Sequence, residues 1–291
     1  MAARSRVPIA NVWFDNVSMA EAVDGIVDFA LQSDKPRYVC TGNLDHLARL
    51  DRDPEFLEAY LGADLVLADG TPVLWLSRLS SPDQPITERV SGSDLVWQIA
   101  EASDRLGLRL FFLGGHPGAA EGAIDAITER YPRAVIAGAY CPPSADFESW
   151  EEQAGIVDRI RKADPQILFV ALGAPKQEKW IRNTLYALNV PVSIGVGGAL
   201  EMAAGRVRRA PRWMQRSGLE WAFRFAQEPT RLFGRYFVTD LPFLVRAYFR
   251  ELAGGYGAAR RQPISNIGPS TAQRDPVSHA GASSSPRGSG H

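Results

Sequence analysis

From Leu108 onward the chain repeats one kind of unit. The apolar run LRLFFLGG is followed by a helical pattern over Ala119–Arg130, then AVIAGAY, a helix over Phe147–Lys162, QILFVALG, a helix over Lys176–Leu188 and VSIGVGG. The runs are rich in β-branched and aromatic residues and do not alternate polar with apolar, so both of their faces must be covered. Buried strands separated by helices dictate an α/β fold, a Rossmann-like and mostly parallel sheet with helices on both faces.

The first half of the chain is compatible with that plan. Val7–Val17 reads as a short strand or hairpin, and Ser18 caps a helix over Met19–Leu31 that turns Ala22, Ile26, Phe29 and Ala30 inward. A strand runs from Arg37 into Thr41, Gly42 and Asn43, a helix covers Leu44–Leu50, and Asp53-Pro54 restarts a helix with proline at its first position. LVLADG, ending at Asp69 and Gly70, is another strand. A helix from Thr71 to about Leu79 and one from Ser93 or Asp94 to Leu106 flank the loop-like SSPDQPITERVSGSD. We divide the chain into a core over residues 1–205, an Arg-rich helical appendage over 206–253 with breaks at Pro229 and Pro242, and a Gly/Ala/Ser/Pro tail over 254–291 that reads as disordered.

Three of the apolar runs end in glycine turns, at Gly114-Gly115, Gly173 and Gly197. In a doubly wound sheet ligands bind at the carboxyl ends of the strands, where helix N-termini present free N–H groups. These glycines are therefore expected to line a nucleotide site. The first loop, GGHPG, is not GxGxxG, and no acid is placed to hold a ribose, which disfavours a nicotinamide enzyme. A Rossmann-type nucleotide-sugar epimerase or dehydrogenase and a non-catalytic nucleotide-binding module stay open as alternatives.

Charge singles out the end of the chain. From Arg206 to Arg250 there are ten arginines, no lysine and three acids, Glu220, Glu228 and Asp240, in a protein of 291 residues whose formal net charge is −1. A basic footprint confined to one segment argues against nucleic acid as a partner. Guanidinium forks grip phosphate at two points, so the cluster, Arg209, Arg224 and Arg231 among it, reads as a diphosphate site rather than a solvated face. Arg212 and Arg216, Arg231 and Arg235, and Arg246 and Arg250 are spaced to share a helix face in pairs. Phe233, Phe237, Leu241, Leu244 and Tyr248 fall near one face as well. They suit a helix lying on anionic lipid, or packing on the core or on another subunit.

Thr41, Asn43 and Asp69 follow strands and should share one rim. Asp69 is either a general base or a turn and cap residue before Thr71-Pro72. Arg89 by itself reads as a surface ion-pair residue rather than a ligand group, and Gln177 and Glu178 as an exposed first helical turn. Asp51-Arg52-Asp53 matches the DxD pattern of metal-dependent sugar-nucleotide enzymes but lies at a helix junction, so it is taken as surface. His46 and His116 have no partner at metal spacing, and we assign no metal and no cofactor. Cys40 and Cys141 are too few for a disulfide framework and fit a reducing compartment. The N-terminus lacks the apolar stretch of a signal peptide, and no run is long enough to span a membrane.

The segments VCTGNLDHL, ADLVLADG, ERVSGSDL, FLGGHPG, VALGAPKQEKWI and GVGGALEMAAGRVRRAPRWMQRSGLEWAFRFAQEPTR together resemble the WecG/TagA/CpsF glycosyltransferases, glycosyltransferase family 26, over roughly Val7 to Arg250. The resemblance implies a bacterial enzyme that inverts the anomeric centre without a metal. It would move a sugar from a UDP-sugar to a polyprenyl-diphosphate-linked saccharide in cell-wall or exopolysaccharide synthesis, at the inner face of the cytoplasmic membrane. It implies Asp69 as general base, with Thr41 counted as catalytic and Asn43 beside it in the pocket. Arg89 and Gln177 would contact substrate, and Arg224 and Arg231 would belong to an appendage that closes over the nucleotide near the membrane. Glu201 departs from the family's usual Asp and is left out of that set. Donor sugar, acceptor saccharide and any homo-oligomer are left open.

Overall fold

The computed structural model describes residues 5–32, 34–143, 147 and 149–253. In chain order it has a hairpin of β1 (Arg6–Ile9) and β2 (Val12–Asp15), α1 (Met19–Gln32), β3 (Arg37–Gly42), α2 (Leu44–Leu50), α3 (Pro54–Leu61), β4 (Leu65–Ala68), α4 (Thr71–Ser80) and α5 (Gly92–Leu106). Then follow β5 (Arg109–Gly114), α6 (Ala119–Arg130), β6 (Val135–Tyr140), α7 (Trp150–Ala163), β7 (Ile167–Ala171), α8 (Lys176–Leu188), β8 (Val192–Gly195) and α9 (Ala199–Ala203). The last stretch holds α10 (Arg212–Arg216), α11 (Glu220–Gln227), α12 (Pro229–Phe233), a π-helical segment Gly234–Asp240 and α13 (Leu241–Leu252).

Six strands form one sheet in the order β4-β3-β8-β7-β5-β6, every pair parallel. Successive side chains point to opposite faces of a strand, and two cores result. Tyr38, Cys40, Val66, Phe111 and Leu168 pack under α2, α3, α4, α7 and α8. Val39, Leu65, Leu67, Phe112 and Phe169 pack under α1, α5, α6 and α9 on the other face. The edge strand β6 is half-exposed, unlike the central strands. At the opposite edge the hairpin covers β4, and the buried Asp15 carboxylate accepts the Val66 N–H at 2.8 Å, which occupies a donor that an edge strand would leave bare.

Helix starts differ from expectation where a better cap lies upstream or downstream. Ser91, not Ser93, caps α5 by accepting the Asp94 N–H, and Ser149 caps α7, which begins at Trp150 rather than Phe147. Pro229 does interrupt the appendage. At Pro242 the helix continues: the preceding turns widen to π spacing, which accommodates the missing N–H and the ring. The expected disorder of 254–291 falls outside the described residues. α13 packs on α4 and α2, with Phe243 and Ala247 buried in the core.

Candidate active site

Because every strand of the sheet is parallel, the loops after β3, β4, β5, β7 and β8 gather at one rim. They bring together Thr41, Asn43, Asp69, Gly114-Gly115, Gly173 and Gly197, as the sequence suggested. Gly114, Gly115, Gly173 and Gly197 all have positive φ. At Gly114 the requirement is strict, since a Cβ there would stand 2.7 Å from the Ala171 carbonyl oxygen.

Asp69 follows β4, its N–H bonded to Gly42 O at 2.8 Å. The side chain is half-buried. Burial pushes its pKa up to about 6 and Glu220 adds to the rise, while Arg89, the Gly92 N–H and Arg224 pull it down. Thr41 lies on the floor beside it, buried, donating from Oγ1 to Gly195 O at 2.8 Å. Gly92, at the start of α5, closes over that floor, where a Cβ would sit 3.5 Å from Thr41 Oγ1 and 3.3 Å from Val196. Asn43 caps α2 through the His46 N–H and also accepts from Arg235 Nη2 at 3.4 Å.

The arginines are more fully matched by acids than their count implied. Arg89 donates to Glu220 Oε2 at 2.7 Å, with Asp94 Oδ2 at 3.7 Å. Arg209 grips both oxygens of Asp94, which Ser91 Oγ also meets. Arg231 is exposed and paired with Glu228, while Arg235, in the π-helical segment, is half-buried near Asp45 and Asp240. Arg224 is half-buried, its side chain has no hydrogen bond or ion pair with a described residue, and its charge acts on Asp69 and Tyr236; Arg208 and Arg246, whose side chains also lack a partner among the described residues, are exposed.

Gln177 and Glu178 are not an exposed helical turn. Both are buried. Gln177 Oε1 accepts the N–H groups of Gly173 at 3.2 Å and Gly197 at 3.0 Å, and its Nε2 donates to Glu178 Oε1 at 2.7 Å. Gln177 thus ties two glycine loops of the rim together. Glu201 does the same for another pair, accepting the His116 N–H at 3.0 Å and meeting its Nδ1 at 2.9 Å. His46 is buried against the Tyr60 hydroxyl, and burial lowers its pKa to about 3. Asp53 caps α3 and pairs with Lys179, so the DxD look-alike is structural there. Among the described residues no three His, Cys, Asp or Glu side chains converge as a metal site would require.

Sequence reasoning missed Asp94, Glu220 and Glu178. For Asp94 a signal was present, because Ser91 and Asp94 stand at capping-box spacing. Glu220 and Glu178 sit in first helical turns, and nothing in the pattern says what covers them.

Glycine turns, carboxylates and arginines meeting at the carboxyl ends of parallel strands are the setting in which α/β enzymes hold their ligands. The chain belongs to the glycosyl transferase WecG/TagA/CpsF family, whose sequence model matches residues 7–256. It is 28% identical over 223 residues to a Bacillus subtilis (strain 168) N-acetylglucosaminyldiphosphoundecaprenol N-acetyl-beta-D-mannosaminyltransferase, covering 77% of this chain and 84% of the relative. Staphylococcus aureus proteins of the same description are similar to it at 31% identity over 229 residues for strain MW2, covering 78% of this chain and 87% of the relative. For strain NCTC 8325 / PS 47 the identity is 32% over 221 residues, 76% of this chain and 84% of the relative. No helix of the described residues is long and apolar enough to cross a membrane.

Proposed function

We propose that the protein is an inverting glycosyltransferase that moves a sugar from a UDP-sugar to a polyprenyl-diphosphate-linked N-acetylglucosamine, with Asp69 as general base. The observation that carries this reading is Asp69 itself, a half-buried carboxylate at a strand end with pKa pushed up to about 6 and the unpaired Arg224 acting on it. An acceptor hydroxyl is a poor nucleophile until its proton is taken, and a base is most effective with a pKa near the working pH. In one displacement the acceptor oxygen bonds to the anomeric carbon on the face opposite UDP. The carbon–oxygen bond to the diphosphate breaks, and the proton passes to Asp69. Charge developing on the departing diphosphate would meet Arg224 and the N–H groups of the glycine loops, fixed donors that need no reorganisation. Fixed cations can fill the part a divalent metal plays elsewhere, which is why we expect no metal requirement.

The test is a panel of UDP-sugars, beginning with the N-acetylmannosamine donor suggested by the relatives, offered with a short prenyl-diphosphate N-acetylglucosamine with and without EDTA. A product heavier by one sugar, of inverted anomeric configuration and formed equally in EDTA, is expected. Absence of product with every donor overturns the reading.

The acceptor's lipid motivates a second part of the proposal, attachment to the inner leaflet of the cytoplasmic membrane. Phe233, Val238, Leu241, Val245, Phe249 and Leu252 are exposed on the last helices, with Val238 and Phe249 about two-thirds exposed. Leu244 packs partly on the core and leaves that surface. Deleting α13 would uncover the seat of Phe243, so point changes test attachment more cleanly. Val245→Ser, Phe249→Ser and Leu252→Ser combined should abolish flotation with anionic liposomes while leaving the folded protein intact. Equal flotation of this variant and the wild type would sink this part.

A further inference from the structure

Outside the glycine rim the structure holds a cleft of about 530 Å³ between α4, the loop at Glu88-Arg89 and α10. Its α4 wall is one helical stripe, Thr71, Leu74, Trp75 and Arg78, at spacings of three and four residues. The stripe starts two residues after Asp69. Arg89, whose charge acts on Asp69, lines the same cleft, and Gln215 closes it from α10.

Three features of this wall fit one occupant. Trp75 lines the cleft with 43% of its surface exposed, a flat apolar face open to a ring-shaped partner. Arg78 is exposed and has no hydrogen bond or ion pair with a described residue, whereas Arg89 and Arg209 are committed to acids. The helical rise places Arg78 about 10 Å along the axis from Thr71, roughly the length of one sugar ring followed by a diphosphate. α13 packs on α4 and carries the exposed Leu241, Val245 and Phe249.

We infer that this cleft is the acceptor subsite, with the sugar ring of a prenyl-diphosphate sugar stacked on Trp75, its diphosphate held by Arg78, and its lipid continuing over α13. The inference rests on the transferase reading above. It separates the two anions of the reaction: the nucleotide diphosphate belongs at the glycine rim and Arg224, the prenyl diphosphate at Arg78. Glu88 at the cleft wall accepts a sugar hydroxyl, and its charge sets a limit on how close a phosphate can lie. The stripe also gives the order of binding elements along the acceptor, with the reacting hydroxyl toward Asp69 and the lipid farthest from it.

The experiment measures transfer with donor and acceptor varied independently, for the wild type, Trp75→Ala and Arg78→Ala, with Trp75→Phe and Arg78→Lys as conservative partners. Removing a charged hydrogen-bond donor from a binding site weakens affinity by at least about tenfold. Arg78→Ala should therefore raise the acceptor KM by at least about tenfold, Trp75→Ala should raise it as well, and both should leave the donor KM unchanged, with partial recovery in Trp75→Phe and Arg78→Lys. A rise in donor KM would assign the cleft to the nucleotide, and unchanged acceptor KM would empty it of any role. Either result overturns the inference. Calorimetric titration of the Asp69→Asn background with UDP and, separately, with a short prenyl-diphosphate N-acetylglucosamine keeps the two readings apart. If no donor is turned over by the wild type, the transferase reading fails, and loss of prenyl-diphosphate sugar binding in Arg78→Ala with UDP binding kept still decides the cleft.

Discussion

Replacing Asp69 by Asn is expected to cut turnover by about 10²–10⁴-fold, the usual contribution of a positioned general base, while UDP stays bound. Asparagine keeps the shape and can still accept the Gly92 N–H, but it cannot take a proton. In the wild type, activity should rise with pH through about 6 and level off above it, since the base works only when ionised and burial has pushed its pKa up to about 6. The Asn variant should lose that limb. Stability should move the other way. A carboxylate whose folded pKa lies above its unfolded value costs the fold stability as pH climbs from the unfolded pKa to the folded one, and the cost persists above it. At pH 7 the cost is fully present, so Asp69→Asn should melt at a higher temperature than the wild type. Arg224→Ala is the matched control. It removes an unpaired cation rather than the base, so UDP affinity should fall there and not in Asp69→Asn. Full turnover by Asp69→Asn, or an activity profile flat between pH 5 and 8, would remove Asp69 from the role given to it.

The two variants divide the site along a line that runs through the chain as well. Asp69, Thr41 and the glycine turns were legible because they depend on where strands end, and buried parallel strands announce their ends by apolar runs stopping at glycine or an acid. The doubly wound sheet was legible for the same reason. What could not be read was partnership across the fold. Arg209 looked like a phosphate ligand because nothing near it in sequence neutralises it, yet Asp94, 115 positions earlier, holds both its terminal nitrogens. Arg231 and Arg235 looked like one cationic pair from their spacing, yet Glu228 takes the first and Asp45 and Asp240 flank the second. Trp75 and Arg78 went unremarked because a tryptophan and an arginine on a helix are ordinary until the neighbouring surface is known to be open. Local pattern decides which elements form, and long-range packing decides which charges stay unpaired.

Glu178 carries that distinction to its largest energetic consequence. Its neighbours in sequence make it an ordinary first-turn acid, but β8, α2 and α3 bury it fully, and one carboxyl oxygen has no hydrogen-bond partner. Burial pushes its pKa from 4.5 up to about 7, against the pull of Gln177, its own N–H and Arg49. Between those two values the folded protein holds a proton there that the unfolded chain has released, so stability falls as pH rises from about 4.5 to about 7 and is level above. At 1.36 kcal/mol per pKa unit the fall is on the order of 3 kcal/mol. Glu178→Gln should erase this slope. The variant should match the wild type near pH 4.5 and exceed it by a few kcal/mol at pH 8 in denaturant melts, since the new amide oxygen still accepts from Gln177 Nε2. Glu178→Leu removes the carboxyl too but strands that donor. The Gln177 amide is then no longer fixed, and its grip on the Gly173 and Gly197 N–H groups loosens. Leu should therefore weaken UDP binding where Gln does not. Identical UDP affinities for the two variants would mean that the loops hold themselves, and parallel stability curves for Gln and wild type would mean that Glu178 titrates in the fold as it does in the unfolded chain.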